Sequence, residues 1–258
     1  MEIYGLTDRG LVREVNEDCI GITCLKNGIT IAVVCDGMGG AAGGKIASEI
    51  GESTFMNSMI AFAEELEASG FDSKKVKNAI NQSIIKANAA ILEKARADLS
   101  LFGMGCTINA AVFCEPKSKL FYVNVGDSRI YMIKKRSIKQ LSKDHSYVQM
   151  LVDNKEITKE EAENHPQRNL ITKALGIKDE IEPDIDFVRI PKKADTYFLL
   201  CSDGLHGLLS KEKLAKVAFL PIGIQEKVFA YISLANEAGG TDNVSAVLLN
   251  TKETEVAK

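Results

Sequence analysis

The chain has 258 residues, of which 45% are hydrophobic and 26% charged, and 32 Lys and Arg against 35 Asp and Glu leave a net charge of −3. That length can bury a sizeable core as one large domain or two small ones, and the composition is that of a soluble globular protein. The charge recommends no nucleic-acid partner, and no apolar stretch approaches the ~20 residues that span a bilayer.

Met1-Glu2-Ile3-Tyr4-Gly5 lacks a basic region followed by an apolar one, so we expect a cytoplasmic protein, or the soluble piece of something larger. An apolar run at 30–35 reads as a strand and ends at Asp36-Gly37. The glycine-rich stretch from Gly37 to Lys45 invites two readings that fail. A dinucleotide fingerprint would need a second parallel strand ending in an acid ~20 residues on, where the pattern here is helical. A P-loop would need Ser or Thr where Ile46 stands.

Two helical stretches follow. The first, about 45 to 68, carries Ile46, Ile50, Met59, Ala63 and Leu66 on a rough stripe. The second places Val76, Ile80, Ile84, Ala87, Ile91, Ala95 and Leu99 on one face, with Asp72 or Ser73 as cap. We expect an antiparallel pair covering a sheet. Strands are then expected at 107–114, 120–125, 129–133, 196–201 and 244–250. Glu115-Pro116-Lys117-Ser118 reads as a hairpin turn, and the three-residue link before Arg129 as the continuation of an antiparallel meander. Residues 143–183 are rich in charge, with a capping-box pattern at Thr158-Lys159-Glu160-Glu161, and read as a lid subdomain. Without a repeat or linker, one continuous domain over 1–258 is expected.

The six cysteines include no Cys-x-x-Cys pair and read as buried reduced thiols. None has an arginine six residues later, as a cysteine-nucleophile phosphate loop requires. His145, His165 and His206 lack a metal-binding spacing and read as structural or lid residues. Lys134-Lys135-Arg136 reads as a solvated turn.

Six carboxylates, Glu17, Asp18, Asp36, Asp127, Asp203 and Asp242, stand in five short segments, nearly all at the end of an apolar run or beside glycine. An acid beside a buried strand is expensive to desolvate unless something compensates it. The simplest shared compensation is a cluster of divalent cations held by oxygen ligands.

In order, the segments are Thr7-Asp8-Arg9-Gly10-x-x-Arg13-x-x-Asn16-Glu17-Asp18, Asp36-Gly37-Met38-Gly39-Gly40 and Gly103-Met104-Gly105-Cys106-Thr107. Then come Asn124-Val125-Gly126-Asp127-Ser128-Arg129, Asp144-His145-Ser146 and Arg168-Asn169-x-Ile171-Thr172-x-Ala174-Leu175-Gly176. Cys201-Ser202-Asp203-Gly204-Leu205 and Gly240-Thr241-Asp242-Asn243 complete them. Any one alone is weak. Together, in this order, they resemble the metal-dependent protein phosphatases (the PPM family, type 2C serine/threonine phosphatases) in their bacterial form.

The resemblance implies an α+β fold, a four-layer α-β-β-α sandwich of two mostly antiparallel sheets flanked by helix pairs. It implies two Mn2+ or Mg2+ ions per chain and a weaker third. Asp36 would bridge both ions. The Gly37 carbonyl, Asp203 and Asp242 would complete the first, and Glu17 would serve the second. Asp127 and Asp203 would hold the third, Arg13 would bind substrate phosphate, and Asp18 would orient water from behind the ligands. The chemistry is consistent: hard cations take oxygen ligands, a water between two cations loses a proton near neutral pH and attacks phosphorus in line, and arginine forks onto phosphate oxygens. Two departures stand out. Met38 occupies a position where many eukaryotic members carry a histidine proposed as general acid, and Gly207 one where some members offer a further carboxylate.

The bland alternatives are turn-forming aspartates beside glycine, an exposed acid at Glu17, and a surface salt bridge at Arg13. The expected activity is hydrolysis of phosphoserine and phosphothreonine in proteins, reversing bacterial serine/threonine kinase signalling. The expected partners are phosphorylated proteins, a kinase and its substrates among them, with no nucleic acid and no membrane, and the expected state is a monomer. Alternatives are a phosphatase of an anti-sigma-factor antagonist and an inactive, phosphatase-like binding module.

Overall fold

The computed structural model describes residues 1–39, 43–69, 71–135, 137–190 and 195–251. Gly40, Ala41 and Ala42 of the glycine-rich turn, and Arg136 of the basic turn, lie outside the described residues. The chain opens with β1 (Glu2–Asp8), β2 (Asp18–Cys24) and β3 (Ile29–Met38), then α1 (Gly43–Ser69) and α2 (Ser73–Ala97). Next come β4 (Gly105–Cys106), β5 (Ile108–Cys114), β6 (Lys119–Val125), β7 (Arg129–Lys134) and β8 (Ser137–Gln140). Two short helices follow, α3 (Tyr147–Asp153) and α4 (Lys159–Glu163), before β9 (Asp184–Arg189) and β10 (Thr196–Cys201). The chain closes with α5 (Asp203–His206), α6 (Lys211–Ala218), α7 (Ile224–Glu237) and β11 (Val244–Asn250).

One sheet has the order β1-β11-β10-β7-β8 and the other β2-β3-β5-β6-β9, with β4 paired to β3, and every pairing is antiparallel. Side chains alternate across a strand, which here sorts each strand between two cores. In β3, Ile31, Val33 and Cys35 face α1 and α2, while Ala32 and Val34 face the other sheet. In β10, Leu199 and Cys201 face α6 and α7, while Phe198 and Leu200 face inward. Both faces are covered, so these strands read as unbroken apolar runs. The result is the expected four-layer α-β-β-α sandwich.

Helix α2 forms as its stripe dictates, with Val76, Ile80, Ile84, Ala87, Ile91 and Ala95 buried and the Asp72 carboxylate accepting from Lys74 N at 2.8 Å. Leu99 does not extend the stripe and is 83% exposed. The cause is Asp98, whose carboxylate caps a separate 3-10 turn by accepting from Ser100 N at 3.0 Å. The hairpin of β5 and β6 turns through Glu115–Lys117 as expected. The meander does not continue. β7 pairs with β8 and β10 in the other sheet. Gly126, at φ +109°, turns the chain out of its sheet, and a Cβ there would lie 2.5 Å from Thr107 Cγ2. The short link is a sheet-to-sheet crossing that leaves Asp127 at the end of both sheets.

The capping box at Thr158 and Glu161 is formed. The segment before β9 returns to the sandwich through hydrogen bonds between Cys106 and Leu175, in both directions. Of the cysteines, Cys35, Cys106, Cys114 and Cys201 are buried, but Cys19 is half-buried and Cys24 exposed on edge strand β2, and all six are free. No helix among the described residues is long and apolar enough to cross a membrane.

Candidate active site

The candidate side chains come together at one end of the sandwich, where strands of both sheets begin or stop. Asp18 opens β2 and is the cross-strand partner of Asp36 in β3. Asp127 lies on the crossing between sheets, Asp203 opens α5 directly after β10, and Asp242 immediately precedes Asn243 and β11. This is a placement that strand ends make economical: rigid ladders hold the backbone while the side chains gather beyond the strand ends.

Asp36 is fixed through its backbone. Its N–H donates to Thr107 Oγ1 at 3.1 Å and its carbonyl accepts from Thr107 N at 2.8 Å. Thr107 Oγ1 is in turn 2.8 Å from Ser128 Oγ, which couples the Asp36 and Asp127 segments. Gly37 permits the next step of the chain, because a Cβ there would lie 2.1 Å from Gly44 O. Gly44 does the same for Glu17: a Cβ would lie 2.4 Å from Glu17 Oε1, so the carboxylate rests against the first turn of α1, where the helix dipole favours an anion. Gly204 packs on the backbone of Asn243, with 2.0 Å left for a Cβ to the Asn243 carbonyl.

The carboxylates are under mutual strain. Burial raises the Asp18 and Asp127 carboxyls to about 7 each, and neighbouring Asp203 pushes both further in the same direction. Burial also holds Asp36 well above the carboxylate range, with Asp18, Asp203, Asp127 and Asp242 adding repulsion. Asp203 is raised by burial and by Asp242, partly offset by a hydrogen bond with Asp36. A buried anion in such company needs protons or cations. Asp18 Oδ2 accepts from Ser245 Oγ at 2.6 Å and Ser202 Oγ at 2.7 Å, while Oδ1 is buried with no partner.

Arg13 is drawn to this cluster. Its Nη2 donates to Asp242 Oδ2 at 2.8 Å, and Glu17 and Asp203 further raise its pKa. Arg13 thus forms the salt bridge of the alternative reading, with a candidate ligand as the partner. Among the described residues, no group of three or more His, Cys, Asp or Glu side chains is already arranged as a metal site. Glu17 is turned to Gly44, Asp242 to Arg13 and Asp18 to two serines.

The donors available are nonetheless oxygen donors. The histidines are occupied elsewhere: His145 Nδ1 accepts from Gly126 N at 3.1 Å while Nε2 lies 3.2 Å from Asp184 Oδ2, and His206 Nε2 lies 3.0 Å from the Asp127 carbonyl. Carboxylates, a backbone carbonyl and water suit magnesium- or manganese-like ions, which keep several waters and need few protein ligands each.

Asn243, next to Asp242, has a task that no local sequence pattern signals. Its Nδ2 donates to Arg9 O and Val15 O, both at 2.9 Å, and its Oδ1 accepts from Glu17 N at 2.8 Å. One amide thus fastens the loop that carries Arg13 and Glu17 beside Asp242. Arg129 has a task of the same kind. It forks onto buried Asp144 at 2.6–3.0 Å and holds the start of the 143–183 segment next to Asp127.

A two-sheet sandwich with a carboxylate-lined end offers donors for hard cations without naming a reaction, and comparison with known proteins supplies the family. The family model "Protein phosphatase 2C" matches residues 12–225. The serine/threonine phosphatase stp of Listeria welshimeri is 34% identical over 243 residues, covering 94% of this chain and 93% of that one. The structure of the Mycobacterium tuberculosis serine/threonine phosphatase PstP/Ppp superposes with a TM-score of 0.83 at 33% identity, covering 98% of this chain and 99% of that one. The catalytic domain of PstP in complex with two manganese ions superposes at 0.78 and 32% identity, covering 96% of each chain. The chain belongs to the protein phosphatase 2C family. It is a hydrolase of the serine/threonine phosphatase type, with bacterial phosphatases of the PPM class as its structural neighbours.

Proposed function

We propose that this chain is a metal-dependent phosphoserine/phosphothreonine protein phosphatase that reverses serine/threonine kinase signalling in the cytoplasm. The observation that carries the reading is the convergence of Asp18, Asp36, Asp127, Asp203 and Asp242, whose mutual repulsion and burial raise four of them. Asp36 would be shared by two Mn2+ or Mg2+ ions. The Gly37 carbonyl, Asp203 and Asp242 would complete one, Glu17 would serve the other, and Asp127 with Asp203 would take a weaker third. When bound, such ions neutralise phosphate charge and lower the pKa of water. Arg13, on the rim beside Asp242, grips the phosphate. Asp18 keeps Oδ1 free to accept a proton-bearing water while Ser202 and Ser245 hold Oδ2. Met38 has no proton to give, so the leaving alkoxide would take its proton from a water that the bound ions acidify. We further propose one domain over 1–258, with residues 143–183 as its lid. Six free cysteines suit a reducing compartment.

Calorimetry of chelator-stripped protein with Mn2+ tests the metal reading. Two or more binding events are expected in wild type and their loss in Asp36→Ala. Phosphoproteomes with and without the gene then identify the substrates.

A further inference from the structure

Three large apolar side chains stand in solvent within five consecutive residues: Leu11 is 66% exposed, Val12 65% and Val15 43%. Isolated exposed apolar residues need no explanation. These three bracket Arg13 on one loop, and the loop is tightly held. Gly10 takes φ +77° against the Asp242 carbonyl, which a Cβ would approach to 2.1 Å. Leu11 N and Val12 N donate to Gly240 O at 2.8 and 3.3 Å. Asn243 Nδ2 donates to the carbonyls on both sides of the group, Arg9 O and Val15 O. The apolar side chains are therefore presented outward by an ordered backbone, with none of the slack that would let them fold inward.

The occupant follows from what lies next to them. If Arg13 grips a phosphate, a residue beside the phosphorylated serine or threonine comes within reach of the loop that carries Arg13. An extended peptide advances ~3.3 Å per residue, so positions one and two from the phosphorylated residue fall within roughly 3–7 Å along the chain. An acidic residue there would meet the exposed Glu14 of this loop. We propose that Leu11, Val12 and Val15 form an apolar rest for a hydrophobic residue within two positions of the phosphorylated residue, and so set peptide preference. This rests on the phosphatase reading above.

The test uses the full chain with Mn2+ and three substrates: p-nitrophenyl phosphate, a phosphothreonine peptide with leucine on both sides, and the same peptide with glutamine there. Wild type is expected to favour the leucine peptide by roughly tenfold in kcat/KM, the size of effect one apolar contact gives. Leu11→Ser/Val12→Ser is expected to lose that preference, mostly through KM, with p-nitrophenyl phosphate turnover and inhibition by inorganic phosphate within about twofold of wild type. Val15→Ser alone is expected to lose part of it. A wild type indifferent to the flanks, a double variant that keeps the preference, or an equal loss on all three substrates would overturn the proposal. An inert wild type on p-nitrophenyl phosphate would instead reject the phosphatase reading, and the apolar rest with it.

Discussion

Arg13 Nη2 and Asp242 Oδ2 are 2.8 Å apart, so the residue proposed to hold phosphate is paired with a residue proposed to hold metal. Both side chains are partly exposed, at 50% and 33%, and such pairs contribute at most about 1 kcal/mol. A cation held at Asp242 would compete with Arg13 for the same oxygen and would free the guanidinium for phosphate. Metal loading and phosphate binding would then be linked through one carboxylate.

Arg13→Ala should lower kcat/KM on phosphopeptides on the order of a hundredfold, the worth of a charge-assisted contact to a dianion that persists in the transition state. Inorganic phosphate should inhibit the variant less well. Manganese affinity should stay the same or tighten by up to about fivefold, because a competitor for Asp242 is gone. Unchanged phosphate inhibition together with unchanged kcat/KM would leave Arg13 as a surface salt bridge only.

Asp36→Asn should abolish turnover and yet stabilise the chelated protein. The amide cannot ionise, so folding no longer opposes ionisation at this position through burial and the repulsion of four neighbouring carboxylates. A rise of about 1 kcal/mol would move Tm by roughly 2–4 °C in a protein of this size. A variant retaining a tenth of the wild-type kcat, or one melting well below wild type in chelator, would contradict the proposed role.

The chelated protein should lose stability as pH rises. Asp18 and Asp127 are raised to about 7 in the folded state, against roughly 3.9 for an unperturbed aspartate. A carboxyl shifted upward binds more protons folded than unfolded, so its contribution is fullest below the unfolded value and is lost as pH passes through the folded one. Scanning calorimetry in chelator should show Tm falling between about pH 4 and pH 7, with Mn2+ removing most of the fall. A Tm that climbs over this range in chelator would run against the picture.

The central strands were legible because both faces of each are buried, which turns 30–35, 196–201 and 244–250 into unbroken apolar runs. The edge strands β1, β2, β8 and β9 were not, since half-polar sequences such as Glu2–Asp8 and Asp184–Arg189 carry weak alternation. The crossing at Gly126 was misread as a meander because a three-residue link looks the same whether it closes a hairpin or changes sheets; the deciding contact, Gly126 on Thr107, is 19 residues away in sequence. The carboxylates of the site announced themselves by standing at strand ends. Asn243 did not, because the three backbone groups it ties lie over two hundred residues earlier.

Asn243→Ala should cost about 2–3 kcal/mol, since three hydrogen bonds from a buried amide are removed and two carbonyls lose their donor. Loosening the loop should also depress kcat/KM more than it depresses manganese binding at Asp36. Denaturant unfolding and peptide kinetics on one preparation would separate the two effects. A variant as stable and active as wild type would remove Asn243 from the account.

The central claim is that carboxylates gathered at the end of the sandwich act through divalent cations on phosphorylated serine and threonine. Its most direct measurement is hydrolysis of a phosphothreonine peptide by chelator-stripped protein as Mn2+ is added back. No turnover is expected before addition and saturable recovery after it, absent in Asp36→Ala. Full turnover in excess chelator would contradict it.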